Sequence, residues 1–274
     1  TSKLREGVWG LLRVLPRASP GLRPLTGRVP QTAASGSVCP RGAPVVRAVV
    51  TATELTTPHQ DKGAAFVPTA RLAELLAHPE RLEPLVLHIA VGDCLQIVLH
   101  NAMPSDAVQP QVSLLVGDPA AKPLTPGQRG SYEFWASPAL GEATAQLRDR
   151  AEPLDGPARG LYGAVVVAAR GSHFRNPRGR GLPAGAPGTA VVVRPPGHPA
   201  YRDFTVFPHD SDGDLGTHAM PYRHQVLGVQ AMSYRQGQQV LEAYPSDPVR
   251  MHVVAAVSEQ VQGFALDGHR WPLE

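Results

Sequence analysis

Long apolar runs are missing from this chain. The longest clean stretches, such as Ala164–Ala169, fall far short of the roughly 18–20 residues a membrane-spanning helix needs, so no membrane span is expected. Cysteine is scarce, with Cys39 and Cys94 the only two, which excludes both a disulfide-framework miniprotein and a cysteine-based zinc site. Charge of one sign is also scarce. Lys plus Arg is 26 and Asp plus Glu is 23, a net charge of +3, too balanced for a nucleic-acid-binding surface despite a pI of about 9.1. Phosphate-binding loops, Gly-X-Gly-X-X-Gly fingerprints and Gly-X-Ser-X-Gly elbows do not occur.

What the 274 residues do contain is 42% apolar residues, enough for a core, together with 29 Pro and 27 Gly. Pro and Gly are excluded from helix interiors, so this content predicts many turns and short strands rather than a bundle or coiled coil. The chain opens on Thr1-Ser2-Lys3-Leu4 without Met and shows no secretory signal, and it is read as an internal piece of a longer protein. Paired, Cys39 and Cys94 would close a long loop, a constraint of roughly 4 kcal/mol by chain entropy. Two unrelated buried thiols are the alternative.

Three blocks emerge. Residues 7–15 read as one short apolar strand and 16–44 as a linker rich in Pro, Gly, Ser and Thr. From 45 to 170, strand patterns occur at Val45–Thr53, Leu85–Ile89, Cys94–Leu99, Val112–Val116, Gly130–Trp135, Ala143–Leu147 and Leu161–Ala169, with a short helix at Thr69–His78. Residues 171–188 read as a connector. The block 189–274 has strand patterns at Thr189–Arg194, Tyr201–Pro208, Val249–Val257 and Gln260–Leu266, too few for a whole domain. The second and third blocks share a Pro-Leu-Val-Leu-His or Pro-Val-Arg-Met-His-Val strand, which suggests two copies of a domain-sized unit.

Several stretches together carry a family resemblance. They are Pro84–Cys94 followed by Asn101, the Gly160-Leu161-Tyr162-Gly163 entry into an apolar strand, Tyr201–Phe207, Phe264–Pro272, and Gly7–Val14. Taken in chain order, they resemble a bacterial multicopper oxidase of the multi-domain, manganese-oxidising group. The resemblance implies an all-β fold of Greek-key cupredoxin-like β-sandwich domains, one complete (45–170) and one or two partial (1–15 and 189–274). It also implies copper as the parent protein's cofactor, neighbouring cupredoxin domains of the same protein as partners, an extracellular or periplasmic location, and oxidation of a metal ion or phenolic substrate coupled to dioxygen reduction.

Copper ligation in such proteins rests on imidazole and thiolate, with His-X-His pairs placing two rings on one strand face. This chain has neither His-Cys-His nor any His-X-His among its eleven His. Carried over onto this sequence, the family's ligand motifs fall near Gln111 and Ser113, near Gln146 and Arg148, near Lys3 and Val8, and near Gln262, Ala265 and Asp267. Catalytic residues are therefore not expected here. The segment reads as copper-free and structural, inactive by itself, with a non-catalytic scaffold or binding protein of degenerate cupredoxin domains as the alternative.

Candidate metal ligands remain in His209 and His218, with Met220 close by, while His218 also suits a structural role. Asp210, Asp212 and Asp214 around Gly213 suit either a hard cation or a solvated turn. Asp267 with His269 is a weaker acid–base candidate. His88, His100 and His252 lie in strand patterns and are read as structural.

Overall fold

The computed structural model describes residues 38–57, 60–207 and 241–256. Two sheets form from Val45 to Ala168. The first has the order β2-β1-β4-β7-β6, built from β1 (Val45–Thr57), β2 (Gln60–Pro68), β4 (Cys94–Asn101), β6 (Val116–Gly117) and β7 (Arg129–Trp135). The second has the order β3-β9-β8-β5, from β3 (Leu85–Ala90), β5 (Pro110–Val112), β8 (Ala143–Asp149) and β9 (Tyr162–Ala168). The chain passes repeatedly from one sheet to the other. As a result β1 pairs parallel with β4, and β3 parallel with β9. The architecture is an all-β sandwich.

Side-chain alternation explains the packing. Val46, Ala48 and Val50 of β1 and Leu95, Ile97 and Leu99 of β4 face Leu85, Leu87 and Ile89 of β3 and Val165 and Val167 of β9 in one apolar core. Every residue of β3 and β9 is buried, because their outer faces are covered as well. A helical connection supplies part of that cover: a 3-10 turn at Thr69–Arg71 followed by α1 (Leu72–Ala77), the region predicted to be helical. Its Leu75, with Leu82 and Phe207, packs on Val86, Ala164 and Val166. Strands sealed on both faces read as continuous apolar runs, which is why β3 and β9 stand out in the sequence.

One close approach is absolute. A Cβ on Gly163 in β9 would lie 2.1 Å from the Leu85 carbonyl oxygen of β3, a backbone atom with no room to move. Gly163→Ala is expected to lower stability by about 1–3 kcal/mol through forced separation of β9 from β3. Urea unfolding measures this, and an unchanged midpoint would refute the close contact.

A third sheet, order β11-β10-β12-β13-β14, follows with β10 (His173–Arg175), β11 (Gly181–Leu182), β12 (Ala190–Arg194), β13 (Tyr201–Val206) and β14 (Val249–Val253). Its first hairpin corrects the reading of 171–188 as a connector. Strands of two and three residues are too short to show periodicity, and the Gly and Pro around them mark turns within the fold. The same stretch also covers β3's free edge, where Gly185 N donates to His88 O at 2.8 Å and Gly188 N to Val86 O at 3.0 Å. The strand expected at 112–116 is likewise divided, because Leu114 adopts φ 64° and turns the chain between β5 and β6. Strand β2 and the short helix α2 (Asp155–Arg159) were not expected at all.

The two strands that carry the shared Pro…His pattern, β3 and β14, both lie in parallel pairs. β14 pairs parallel with β13, as β4 does with β1 and β3 with β9.

Candidate functional site

The third sheet meets the outer face of β3 and β8 at a cluster of buried polar groups. Asp203 of β13 is fully buried, His88 of β3 is 1% exposed, and the His252 side chain on β14 is 12% exposed. His252 Nε2 lies 3.0 Å from the Asp203 carboxylate. A carboxylate only accepts, so this nitrogen carries the proton. The other ring nitrogen, Nδ1, is within hydrogen-bond distance of the Thr144 hydroxyl on β8. A hydroxyl donates or accepts, so both the neutral and the cationic ring fit there. On the other side, His88 Nε2 lies 3.8 Å from Asp203, beyond hydrogen-bond distance, and its ring is tilted against Phe174 at 5.7 Å. Among the described residues, both His88 nitrogens and Thr205 Oγ1 lack hydrogen-bond partners.

Burial pushes the Asp203 carboxyl up, but the His252 hydrogen bond and the nearness of both imidazoles outweigh it and hold the group below the usual carboxylate range. The cluster is therefore built around an ionised, buried acid.

More polar contacts frame the junction. Arg250 reaches Glu142 across it and stacks over the Tyr201 ring at 4.4 Å. Burial pushes the Tyr201 hydroxyl up to about 12. Thr189 donates to Glu83 at 3.2 Å.

Two imidazoles and a carboxylate form a donor set for a borderline metal, yet here the three do not converge on one point. Among the described residues, the one group of three such donors lying within 4.8 Å of each other is Cys39, Cys94 and Glu133. Both its sulfurs are spent in the Cys39–Cys94 disulfide, which settles the pairing question.

The positions to which the resemblance assigns copper ligands on β5 and β8 do come together. Gln111 pairs with Arg148 across the two strands, and Arg148 Nε donates to Gln111 Oε1 at 3.4 Å. Gln146 N donates to Ser113 Oγ and Ser113 N to Gln146 O, both at 2.8 Å. The Gln146 amide donates onward to the Ala256 carbonyl at 3.1 Å. Two amides, a hydroxyl and a guanidinium cation do not fit copper. Imidazole lone pairs are missing, and the polar groups are engaged with one another and with the segment following β14.

His209 and His218, the sequence candidates for metal binding, lie outside the described residues. So do Asp210, Asp212, Asp214, Met220, Asp267 and His269, the strands expected at 7–15 and 260–266, and the positions Lys3, Val8, Gln262 and Ala265. The sequence reading missed Asp203. Its signal was a lone acid in the middle of an apolar strand, Tyr201–Phe207. A second missed group is Asp149, fully enclosed at the end of β8. It accepts from the backbone of Gln109 at 2.8 Å and Ala151 at 3.0 Å, and its role is to pin the entry to α2.

No family profile matches the chain, and no curated protein does. Solved structures similar to it include a copper nitrite reductase from Nitrosomonas europaea, 17% identical over 46% of this chain and 42% of that one, with a TM-score of 0.37. A multicopper oxidase is 21% identical over 65% and 53%, with a TM-score of 0.39. A multi-copper oxidase from Pseudomonas thermotolerans is 16% identical over 62% and 44%, with a TM-score of 0.37. The chain spans about half, or less, of each of these. At such scores the likeness decides nothing by itself, and the sandwich rests on the strand pairing described above. Among the described residues no helix is long and apolar enough to cross a membrane.

Proposed function

We infer that this chain is a structural, copper-free segment of a larger, exported multicopper-oxidase-like protein. In that protein, copper-bearing cupredoxin domains outside this chain oxidise a metal ion or a phenolic substrate with dioxygen, and this segment packs between them. The observation carrying the reading is the set Gln111, Ser113, Gln146 and Arg148. Its hydrogen bonds replace metal ligation with docking, since Gln146 holds the backbone of Ala256 where a ligand would need a free lone pair. The disulfide suits an oxidising compartment. The second reading, a non-catalytic scaffold of degenerate cupredoxin domains, rests on the same observation and differs in what flanks the chain. His-Cys-His and His-X-His doublets beyond Thr1 or Glu274 favour the oxidase, and their absence there favours the scaffold.

The direct test is copper content after loading and desalting, read together with the visible spectrum. The expected result is near-zero copper and no intense blue thiolate band. A blue band would overturn the reading by requiring a Cys ligand in place of the disulfide. Stoichiometric copper without that band would also overturn it, and would make His209 and His218 the first positions to replace.

A further inference from the structure

The first sheet gathers three metal-ligating side chains at one point. Cys94 opens β4 and points to the sheet's outer face, because Leu95, Ile97 and Leu99 alternate with it into the core. It pairs with Trp135 of β7, and Glu133 lies two residues before Trp135, so Cys94 and Glu133 share that outer face. Cys39 arrives from the segment before β1. Both sulfurs and a Glu133 carboxylate oxygen lie within 4.8 Å of one another, with Cys94 buried and the other two half-buried.

The donors stay together without the bond between the sulfurs. Cys94 N donates to Pro44 O at 2.8 Å, and Ala43 N donates to Pro40 O at 3.1 Å across a turn in which Gly42 adopts φ 83°. These backbone bonds hold the Cys39 segment beside β4. The two cysteine Cα atoms are 5.7 Å apart. With Zn–S near 2.3 Å, two thiolates on one tetrahedral zinc stand roughly 3.8 Å from each other. Side-chain rotation from this backbone spacing reaches that separation. The Glu133 carboxylate is available, with no hydrogen bond or ion pair among the described residues. Gln96 separates it from Arg47, the cation in the same cross-strand row.

We propose that Cys39, Cys94 and Glu133 form a redox-gated site for a thiophilic cation such as Zn²⁺, closed while the disulfide stands and opened by its reduction. The reductant is a dithiol. One of its thiolates attacks the half-buried Cys39 sulfur, and Cys94 leaves as a thiolate. The second thiol then resolves the mixed disulfide, so two electrons pass to the protein and the reductant ends as a disulfide. The cation displaces the two cysteine protons, Glu133 supplies the third ligand, and water completes a tetrahedron. Thiolate donors select a soft or borderline ion over a hard one. The metal then clips the incoming chain to β4 as the covalent bond does, so the tether persists while the chain is reduced. Two cysteines alone are too few for a zinc site, and only the β4–β7 register brings in the third donor. The site is separate from the positions on β5 and β8 and does not depend on copper elsewhere in the parent protein.

The experiment is metal titration of the full chain, reduced with a dithiol and desalted without oxygen. Cd²⁺ is the probe, for its ultraviolet thiolate charge-transfer band, and Zn²⁺ the competitor. The oxidised chain keeps all eleven His and controls for binding elsewhere. Expected is a thiolate band that saturates at one Cd²⁺ per reduced chain, is displaced by Zn²⁺, and is missing from the oxidised chain. Glu133→Gln should weaken binding at least about tenfold, the loss that even an outer-shell partner causes, and leave the urea midpoint of the oxidised chain unchanged. Zn²⁺ should raise the urea midpoint of the reduced wild type and slow alkylation of both thiols. No band in the reduced chain, or equal affinity in Glu133→Gln, would overturn the proposal. So would a reduced chain that is unfolded and stays unfolded with Zn²⁺.

Discussion

Replacing Asp203 by Asn is expected to cost about 3–5 kcal/mol, the penalty for removing one partner of a buried charge pair. The substitution keeps the side chain's shape and its ability to accept from His252 Nε2, so the loss isolates charge from packing. Urea unfolding at neutral pH measures it. A cost below about 1 kcal/mol would place Asp203 with solvent-screened surface pairs and contradict its burial. The pH dependence supplies a second readout. The neighbouring imidazoles hold the Asp203 carboxyl below the usual range. Its contribution is therefore present above the ordinary carboxylate pKa of about 3.9 and is lost as pH falls through the lower, folded-state value. Asp203→Asn should lack that acid limb.

Opening the Cys39–Cys94 bond, by reduction or by a Cys39→Ser/Cys94→Ser double replacement, is expected to cost roughly 4 kcal/mol. The bond joins residues 55 apart, and the released unfolded chain regains the entropy of that loop. Location adds to the effect. Cys94 opens β4 and Val45 opens β1, and the two pair in register, so the bond anchors the incoming chain beside the first parallel strand pair. The comparison is the difference in urea midpoint between oxidised and reduced protein. No difference would mean that backbone pairing already holds residues 38–44 in place.

Much of the sandwich was legible in the sequence for one physical reason: strands β3 and β9 are sealed on both faces. Leu85–Ala90, but for His88, and Tyr162–Ala168 therefore appear as apolar runs, and the helix after β2 was marked by Leu72, Leu75 and Leu76 and by Pro79 behind it. Strand β2 was hidden because its first half, Gln60-Asp61-Lys62-Gly63, has no apolar alternation. It is placed by thirteen-residue β1, whose length leaves an edge to be paired. The hairpin of β10 and β11 was hidden by brevity, and the break at Leu114 by a backbone angle that no composition reports.

The site divides along the same line. The missing His doublets, the amides and guanidinium where the resemblance asks for imidazole, and the odd acid in Tyr201–Phe207 are properties of residue type, and the sequence alone determines them. That Gln111, Ser113, Gln146 and Arg148 bond to each other, and that His88 and His252 flank Asp203, only the tertiary structure decided. His252 and Asp203 are 49 residues apart, and His88 approaches from a different sheet. Periodicity tells which face of a strand is buried. Which faces meet depends on register and sheet packing, and these follow from the core as a whole.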